Sequence, residues 1–333
     1  MSTGPSTVLG CADLDATTEL FTSLGFRLDV IWPADDPSVA VLSRGDGTGV
    51  RLVRTSASVL VHHDLDLADG DGVVPMPAGA ATFELTHAED TDAGVGRAGM
   101  HYRDLLPRRQ DGRFVASHIL IPDGGPVPDY VHHHRVLFQL IYCAAGWVRV
   151  VYEDQGPAFV LAAGDCVLQP PGIRHRVLEA SPGLQVVEIG CPAEHPTFVE
   201  HSITLPTDEV APDRRWDSQR FVRHVAAEAS WEPWRASGFE CRDTGVAAAT
   251  DGLAAVTVVR PCPPSSCVEL SPHDGELLFW YVLSGTAVLR YANRSERLGA
   301  GTAMALPADV PYGLTDVSPD LEVLEVMLPG ARR

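Results

Sequence analysis

The amino-acid sequence predicts a mainly β protein, in which two β-barrels follow an N-terminal α+β module. Short apolar runs separated by glycine and proline turns dominate residues 100–196 and again residues 253–333. Many short strands at such regular spacing indicate a sandwich or a barrel. The two segments also resemble each other, because Leu137–Val151 and Leu277–Tyr291 share an apolar–Gly–apolar plan, which indicates an internal duplication. Residues 7–54 instead predict one strand, one helix and three more strands.

Three domains are expected, because a chain of 333 residues is too long for one ordinary core. The apolar fraction of 45% is normal for a globular protein. We place the N-terminal module at residues 1–98, the first barrel at residues 99–204, and a linker with the second barrel at residues 205–333.

The N-terminal module begins with a short apolar run that leads into a helix. Asp13 or Asp15 can cap this helix at its start, and Gly25 can end it. Leu20 and Phe21 lie on its apolar stripe. The predicted strands of the module are Thr7–Cys11, Leu28–Trp32, Val39–Leu42 and Val50–Val53.

Charge and cysteine usage limit the partners and the compartment. The net charge of −19 argues against nucleic acid and anionic membrane surfaces, since both require a basic surface. We therefore expect a small-molecule substrate. The seven cysteines are scattered and form no CxxC pair, which indicates reduced thiols in a cytoplasmic protein. No basic segment precedes a long apolar run near the N-terminus, so we expect no secretory signal.

The chain contains arginine but no lysine. This composition excludes Schiff-base catalysis and a lysine general base. Arginine stays charged and can only bind or stabilise an anion. Proton transfer is therefore left to histidine, carboxylates, tyrosine or metal-bound water.

Four potential metal ligands lie within one predicted barrel. His132 and His134 form an HxH pair, and the period of two along a strand places both imidazoles on one face. Gln139 lies five residues beyond His134, so a turn or bulge must bring it back to that face. A Pro-Pro-Gly turn at residues 170–172 then leads to His175. Three imidazoles and one amide oxygen suit a divalent first-row metal ion with open positions for water or substrate.

These spacings closely resemble the two motifs of the cupin superfamily, over roughly residues 115–195. The resemblance implies a double-stranded β-helix barrel with one divalent metal ion, such as Zn, Fe, Mn or Ni, in its mouth. It assigns the metal to His132, His134, Gln139 and His175. The usual fourth ligand of the family is glutamate, whereas this chain has Gln139.

The second barrel resembles a cupin that has lost its site, as in bicupins. When the two segments are aligned on their glycines, the ligand positions hold Ser271, His273, Leu278 and Tyr312. One potential ligand of four will not hold a metal, so we expect a structural role for this barrel.

The first segment resembles a βαβββ module of the vicinal-oxygen-chelate superfamily, the glyoxalase and bleomycin-resistance group, through LGCADLDATTELFTSLGF. Such modules normally occur in pairs and supply a His from the first strand and a Glu from the fourth. This chain has no histidine before His62, and VRLVRT offers no carboxylate. We therefore expect a dimerisation module or a lid over the barrel, and a homodimer.

Gln139 in place of glutamate leaves the site one negative charge short. A metal that keeps nearly its full charge is a stronger Lewis acid, and its higher oxidation state is less stable. Within the cupin family this ligand set resembles that of sugar-acid tautomerases and zinc-dependent polyketide cyclases. We expect a redox-neutral isomerisation, elimination or cyclisation of a keto or hydroxy acid, an enol or a sugar-like molecule. An iron-dependent dioxygenase that cleaves a C–C bond, and a non-catalytic binding protein, remain the alternatives.

The candidate proton carriers are Glu188, Tyr142 and His118. The same residues are also consistent with a solvated strand carboxylate for Glu188, an ordinary core tyrosine for Tyr142 and a core histidine for His118. Three arginines could bind a substrate carboxylate or simply lie on the surface: Arg103, Arg149 and Arg176.

Overall fold

A unit of four strands and one helix forms the N-terminal part of the structure, as the sequence predicts. Asp13 caps the start of the helix by accepting a hydrogen bond from the Ala16 N–H at 2.9 Å. Gly25 lies just after the end of the helix and has a left-handed φ of 88°. The elements are β1 (Thr7–Cys11), α1 (Leu14–Ser23), β2 (Arg27–Trp32), β3 (Val39–Ser43) and β4 (Gly49–Arg54). The computed structural model describes residues 7–56, 74–90, 93–95, 99–262, 267–270 and 272–328.

The four strands of this unit lie in the order β1-β4-β3-β2. β1 runs parallel to β4, and the other pairs are antiparallel. α1 covers one face of the sheet, where Leu14 and Phe21 pack against Leu42 and Leu52. This small apolar core holds the unit together.

The first barrel consists of two facing antiparallel sheets. One contains β17-β10-β15-β12-β13 with β9 beside β15, and the other contains β20-β14-β11-β16-β8-β7-β6. The elements of this part of the chain are β5 (Glu84–Thr86), β6 (Gly94–Val95), β7 (His101–Asp104), α2 (Arg109–Gly112), β8 (Val115–Ile121), β9 (Gly125–Pro126), β10 (His132–His134), β11 (Phe138–Ala145), β12 (Trp147–Tyr152), β13 (Phe159–Ala162), β14 (Cys166–Leu168), β15 (His175–Ala180), β16 (Leu184–Cys191), β17 (Thr197–Val199), β18 (Arg215–Trp216), β19 (Gln219–Arg220) and β20 (Val222–His224).

The second barrel repeats this plan with the sheets β21-β22-β23-β30-β25-β28-β5 and β24-β29-β26-β27. No helix in the described ranges is long and apolar enough to cross a membrane. The elements are β21 (Glu232–Pro233), β22 (Phe239–Asp243), α3 (Val246–Ala249), β23 (Ala255–Pro261), β24 (Cys267–Leu270), β25 (Leu277–Ser284), β26 (Thr286–Tyr291), β27 (Arg294–Gly299), β28 (Ala303–Leu306), β29 (Tyr312–Thr315) and β30 (Glu322–Leu328).

The two barrels share details of strand pairing as well as strand order. β11 pairs with β16 in the first barrel, and β25 pairs with β30 in the second. Both pairs contain one register shift near the end of the first strand, between Cys143 and Ala145 and between Val282 and Ser284. A mainly β fold with two barrels was predicted, and it is confirmed.

Strand pairing crosses both of the domain boundaries that we predicted from the sequence. β5 lies before residue 98 but extends a sheet of the second barrel, where Leu85 pairs with Met304. β20 lies after residue 204 but extends a sheet of the first barrel, where Val222 pairs with Leu168. Each barrel thus takes an edge strand from outside its predicted range, because hydrogen bonding and not sequence order decides where an edge strand attaches.

The N-terminal unit continues a sheet of the first barrel. β2 pairs with β17 through Ile31↔Thr197 and Val30↔Phe198, and β17 pairs in turn with β10. The turn between β2 and β3 therefore lies at the end of the barrel where the HxH strand is found. The opposite side of the first barrel packs on the second barrel through one shared apolar core.

Candidate metal centre

Three of the predicted ligands come together because two strands are neighbours. β10 and β15 are antiparallel partners in which His132 lies directly opposite His175. His134 lies two residues further along β10 and faces the same side. Nitrogen atoms of the three rings lie within 4.8 Å of one another, and all three residues are buried. A single ion can therefore contact all three imidazoles.

Hydrogen bonds hold each ring through its Nδ1 atom. The partner of His132 is the Tyr130 carbonyl at 2.8 Å, and that of His175 is the Ile173 carbonyl at 3.0 Å. The Nδ1 atom of His134 lies 2.8 Å from the Thr197 hydroxyl. A carbonyl only accepts, so His132 and His175 carry their proton on Nδ1 and would ligate through Nε2. Ligation of His134 through Nε2 would likewise make its Nδ1 the donor to the Thr197 hydroxyl.

Gln139 lies on the opposite sheet and lines the same cavity as the three histidines. The chain crosses between sheets after β10, so the alternation of β10 does not continue into β11, and Gln139 faces the histidines across the barrel. Its Nε2 donates a hydrogen bond to Glu188 Oε1 at 2.6 Å. Because a carboxylate only accepts, the amide nitrogen must face Glu188 and the amide oxygen must face away.

The orientation of Gln139 supports the predicted ligand set. Its Oε1 atom is buried and has no hydrogen-bond partner in the described part of the chain. A buried unpaired oxygen costs stability, and a bound cation would remove that cost. The donor set of three imidazoles and one amide oxygen fits a divalent first-row metal.

Glu188 is one of the three predicted proton carriers, and it lies beside the ligands. It is on β16 opposite Ile141 of β11. Both side chains line a cavity of about 110 Å³ that also exposes His132, His134 and Gln139. The predicted ligand set itself has no carboxylate, but the Glu188 carboxylate is hydrogen-bonded to Gln139.

The structure does not bring the other two predicted carriers to the cavity. Tyr142 alternates with Ile141 on β11 and lies in the apolar core that joins the barrels, where burial raises the pKa of its hydroxyl. His118 stacks on Tyr281 of the second barrel, with a centroid distance of 6.3 Å. We correct these two predictions, because the period of two along each strand points both side chains away from the cavity.

The arginines considered for carboxylate binding also lie elsewhere. Arg103 donates to the Gly301 carbonyl at 3.0 Å, and Arg149 pairs with Glu179 at 3.1 Å. Arg176 does not line the cavity either. None of the cavity-lining residues within the described ranges is an arginine.

Five polar residues line the cavity without having been predicted: Asp35, Tyr102, Tyr152, Gln169 and His195. Tyr152 stacks on His175, and its hydroxyl accepts a hydrogen bond from Gln169 Nε2 at 2.9 Å. Burial raises the pKa of Tyr152, so its hydroxyl stays protonated. Asp35 and His195 also line the cavity, although no motif marks either of them.

His195 has a defined tautomer and position. Its Nδ1 donates to the Pro192 carbonyl at 2.9 Å, and its ring lies 5.6 Å from that of His134. Its Nε2 is buried and has no hydrogen-bond partner among the described residues. Burial lowers the pKa of His195, so the ring is neutral and Nε2 is a hydrogen-bond acceptor.

The second barrel holds an ion pair where the first holds the ligands. Leu278 and Tyr312 occupy the positions of Gln139 and His175, while Ser271 lies outside the described residues. Glu325 corresponds to Glu188 and makes two hydrogen bonds with Arg235, at 2.5 and 2.6 Å. The guanidinium supplies a positive charge there, which agrees with the predicted loss of the metal site.

Comparisons with known proteins concern the fold. No protein-family model and no curated protein matches the sequence. Among solved structures, protein Ylba from E. coli has 14% identity and a TM-score of 0.53, over 82% of this chain and 98% of that chain. Oxalate decarboxylase from Lactobacillus farciminis, in its formate complex, has 12% identity and a TM-score of 0.54, over 77% and 88%. Bacillus subtilis oxalate decarboxylase, in work on its Mn(II) centres, has 15% identity and a TM-score of 0.53, over 82% and 85%.

At these identities the likeness establishes the architecture and leaves the reaction open. It covers both barrels and agrees with their shared strand pairing. The chain therefore has the bicupin fold.

Proposed function

We propose that the protein is a metal-dependent enzyme that carries out a redox-neutral proton transfer on a small oxygenated molecule. The reaction class is an isomerisation, elimination or cyclisation of a carbonyl compound with a second oxygen next to it. The hydrogen bond from Gln139 to Glu188 is the observation that carries the proposal. It leaves a neutral oxygen for the metal and places a carboxylate beside it.

A divalent metal bound by His132, His134, Gln139 and His175 would polarise a carbonyl oxygen as a Lewis acid. All four of these ligands are neutral, so little of the metal charge is cancelled by direct contact. That charge balance favours Lewis-acid chemistry over cycling to a higher oxidation state.

Glu188 takes the role of the base in this proposal. Its carboxylate lines the cavity, so it can remove a proton from the carbon next to the carbonyl and return it to a neighbouring atom. Tyr152 keeps its proton and can donate a hydrogen bond to a substrate oxygen. No electron leaves the substrate in either step, so no oxidant is required.

The N-terminal unit is proposed to cover the barrel mouth. Ala34 and Asp35, on the turn between β2 and β3, line the cavity together with the ligands. This contact supports the lid that was one of the two roles expected for a lone vicinal-oxygen-chelate-like module. The resemblance to that superfamily, and the homodimer, stay predictions.

The first test is elemental analysis of the purified protein, with oxygen uptake and α-proton exchange followed on acetoin, 2-oxobutanoate and acetylacetone. We expect about one equivalent of zinc, manganese or nickel, deuterium exchange by NMR in D₂O, and no oxygen uptake. Iron with substrate-dependent oxygen uptake would replace the proposal by the dioxygenase alternative. The absence of bound metal, even after reconstitution, would refute it.

A Gln139→Glu variant tests the charge argument directly. Glutamate restores the usual ligand of the cupin family and adds a negative charge beside Glu188. The two carboxylates would then repel each other unless one is protonated or the metal binds more tightly. We expect higher metal affinity and slower α-proton exchange. An exchange rate equal to that of the wild type would contradict the Lewis-acid argument.

A further inference from the structure

The cavity has a polar end and an apolar end. The histidines, Gln139, Glu188 and Tyr152 form the polar end. The rest of the wall is largely aliphatic. Most of its aliphatic side chains lie on strands of the first barrel. At the far end the wall consists of Ile121, Val148, Leu161, Leu184 and Val186.

Strand register separates the two ends. On β12, Tyr152 lies opposite His175, whereas Val148 lies opposite Ala180. Four residues of β-strand span about 13 Å at about 3.3 Å per residue. A molecule bound by two oxygens near His175 would therefore extend the rest of its structure along aliphatic side chains.

The charges on the wall disfavour a doubly negative ligand. Asp35 and Glu188 are the acidic residues that line the cavity, and no arginine in the described ranges lines it. Arg109, which lies nearby, is already paired with Asp35 at 2.5 Å and with Asp104 at 3.2 Å. A dicarboxylate such as oxalate would find two carboxylates and no guanidinium to bind its second charge.

We propose that the substrate is a small hydroxyketone, diketone or enol whose remaining part is a short, uncharged alkyl chain. This rests on the proposed function for the oxygen-bearing end and on the aliphatic wall for the other end. The volume of about 110 Å³ sets the size. Apolar cavities of roughly 150 Å³ bind benzene, so in this smaller cavity the apolar part contains fewer than six carbons.

Hydroxamates test this inference because they bind metals through two adjacent oxygens and are available with different tails. The experiment measures the dissociation constants of acetohydroxamate, butyrohydroxamate and hexanohydroxamate by calorimetry on the metal-loaded protein, with oxalate for comparison. Each buried methylene contributes about 0.8 kcal/mol, which is about fourfold in affinity. We expect affinity to rise about fourfold per methylene. A flat series, or oxalate as the tightest ligand, would overturn the inference.

A variant with a filled apolar end locates the effect. Val186→Phe should weaken hexanohydroxamate at least tenfold and change acetohydroxamate little, because only the longer tail reaches Val186. Val160→Phe is the matched control, since Val160 is 42% exposed on the outer face of β13. If Val186→Phe lowered the affinity for both hydroxamates equally, while Val160→Phe left both affinities unchanged, the tail would have to bind elsewhere.

A metal-free experiment separates this inference from the proposed function. The metal-free protein is titrated with 1-hexanol and with 1,6-hexanediol, which has the same length but a polar far end. Tighter binding of 1-hexanol, by tenfold or more, supports an apolar subsite even if the metal proposal fails. Equal binding of the two would refute the apolar subsite, even if metal analysis and proton exchange support the enzyme.

Discussion

At the scale of single residues, the proposed chemistry rests on the orientation of one amide group. Glu188 accepts a hydrogen bond from the amide nitrogen of Gln139, which turns the buried, unpaired amide oxygen away from Glu188. A glutamate at position 139 could not make this bond while both carboxylates are charged. In the proposed reaction, the Gln139–Glu188 pair would provide a neutral ligand and a carboxylate base side by side.

Replacement of Glu188 tests its role as the base. Glu188→Gln removes the carboxylate and leaves the three histidines and Gln139 in place. We expect α-proton exchange to fall by about 10²- to 10⁴-fold, the usual contribution of general acid–base catalysis. NMR in D₂O gives the exchange rate, and elemental analysis should still find about one metal per chain. An unchanged rate would exclude Glu188 as the base.

His118→Gln is the matched control for this variant. His118 was also predicted to carry a proton, but it lies against Tyr281 and donates to Gln185 Oε1 at 2.9 Å. We expect the α-proton exchange rate of the His118→Gln variant to stay within about threefold of the wild-type rate, because glutamine keeps a hydrogen-bond donor at this position. A loss as large as that of Glu188→Gln would show that the position of His118 is misjudged.

At the scale of elements, the same glycine turn shapes both barrels. Gly146 and Gly285 follow β11 and β25 with φ angles of 75° and 72°. A Cβ on Gly285 would lie 2.5 Å from the Leu321 backbone. The next strand begins immediately after each glycine, and its first amide donates to a serine hydroxyl, Ser181 or Ser318. The conserved geometry explains why the sequence repeat is clearest around these turns.

Gly285→Ala should be much more destabilising than an alanine at an open positive-φ glycine. A left-handed alanine costs about 1–2 kcal/mol, and the backbone overlap adds a cost of similar size. We expect the free energy of unfolding to fall by about 3 kcal/mol or more, as measured by urea denaturation. The control is Gly183→Ala, whose φ is 69° but whose Cβ meets nothing within 4 Å. Equal losses in both variants would show that the overlap is relieved at no cost.

At the scale of the whole molecule, the N-terminal unit and the first barrel form a single site. β2 extends the barrel sheet. Two ion pairs stabilise the turn that follows β2. Asp35 pairs with Arg109 near the cavity, whereas Asp36 pairs with Arg54 on the outside. The cavity is therefore lined in part by a segment about 100 residues before the HxH motif.

Arg109→Gln should loosen this closure. The pair with Asp35 is largely buried, and its removal leaves a carboxylate without its cation. We expect a chelator to remove the metal about tenfold faster, as measured by stopped-flow absorbance. Arg54→Gln breaks an exposed pair on the same turn and should leave the rate unchanged. Equal rates in all three proteins would argue against a lid.

The stability of the fold should decrease in mild acid. Burial, followed by the charge of Arg174, lowers the pKa of His133 to about 4. The unfolded chain takes up this proton near pH 6.5, so stability is present above that pH and is lost as the pH falls toward 4. We expect the contribution of His133 to the free energy of unfolding to be about 2 kcal/mol smaller at pH 5 than at pH 7.5.

Urea denaturation of the metal-free protein at both pH values checks this expectation, since metal binding itself depends on pH. His133 stacks on Phe198 and has a buried unpaired Nδ1 within the described residues. His133→Phe removes the titrating group and should reduce the loss between the two pH values. A loss of the same size in the variant would assign the pH dependence to the other buried histidines.

The sequence by itself determined the class of fold and identified three histidines that the structure brings together. Strand length, turn residues and the period of two are local properties, and they predicted the barrels and the shared face of His132 and His134. The tertiary structure decided what depends on pairing between distant segments. It placed Gln139 across the barrel, turned His118 and Tyr142 toward the second barrel, and brought Asp35 to the mouth. Local pattern specifies which side chains share a strand face, but only the assembled sheets determine what that face meets.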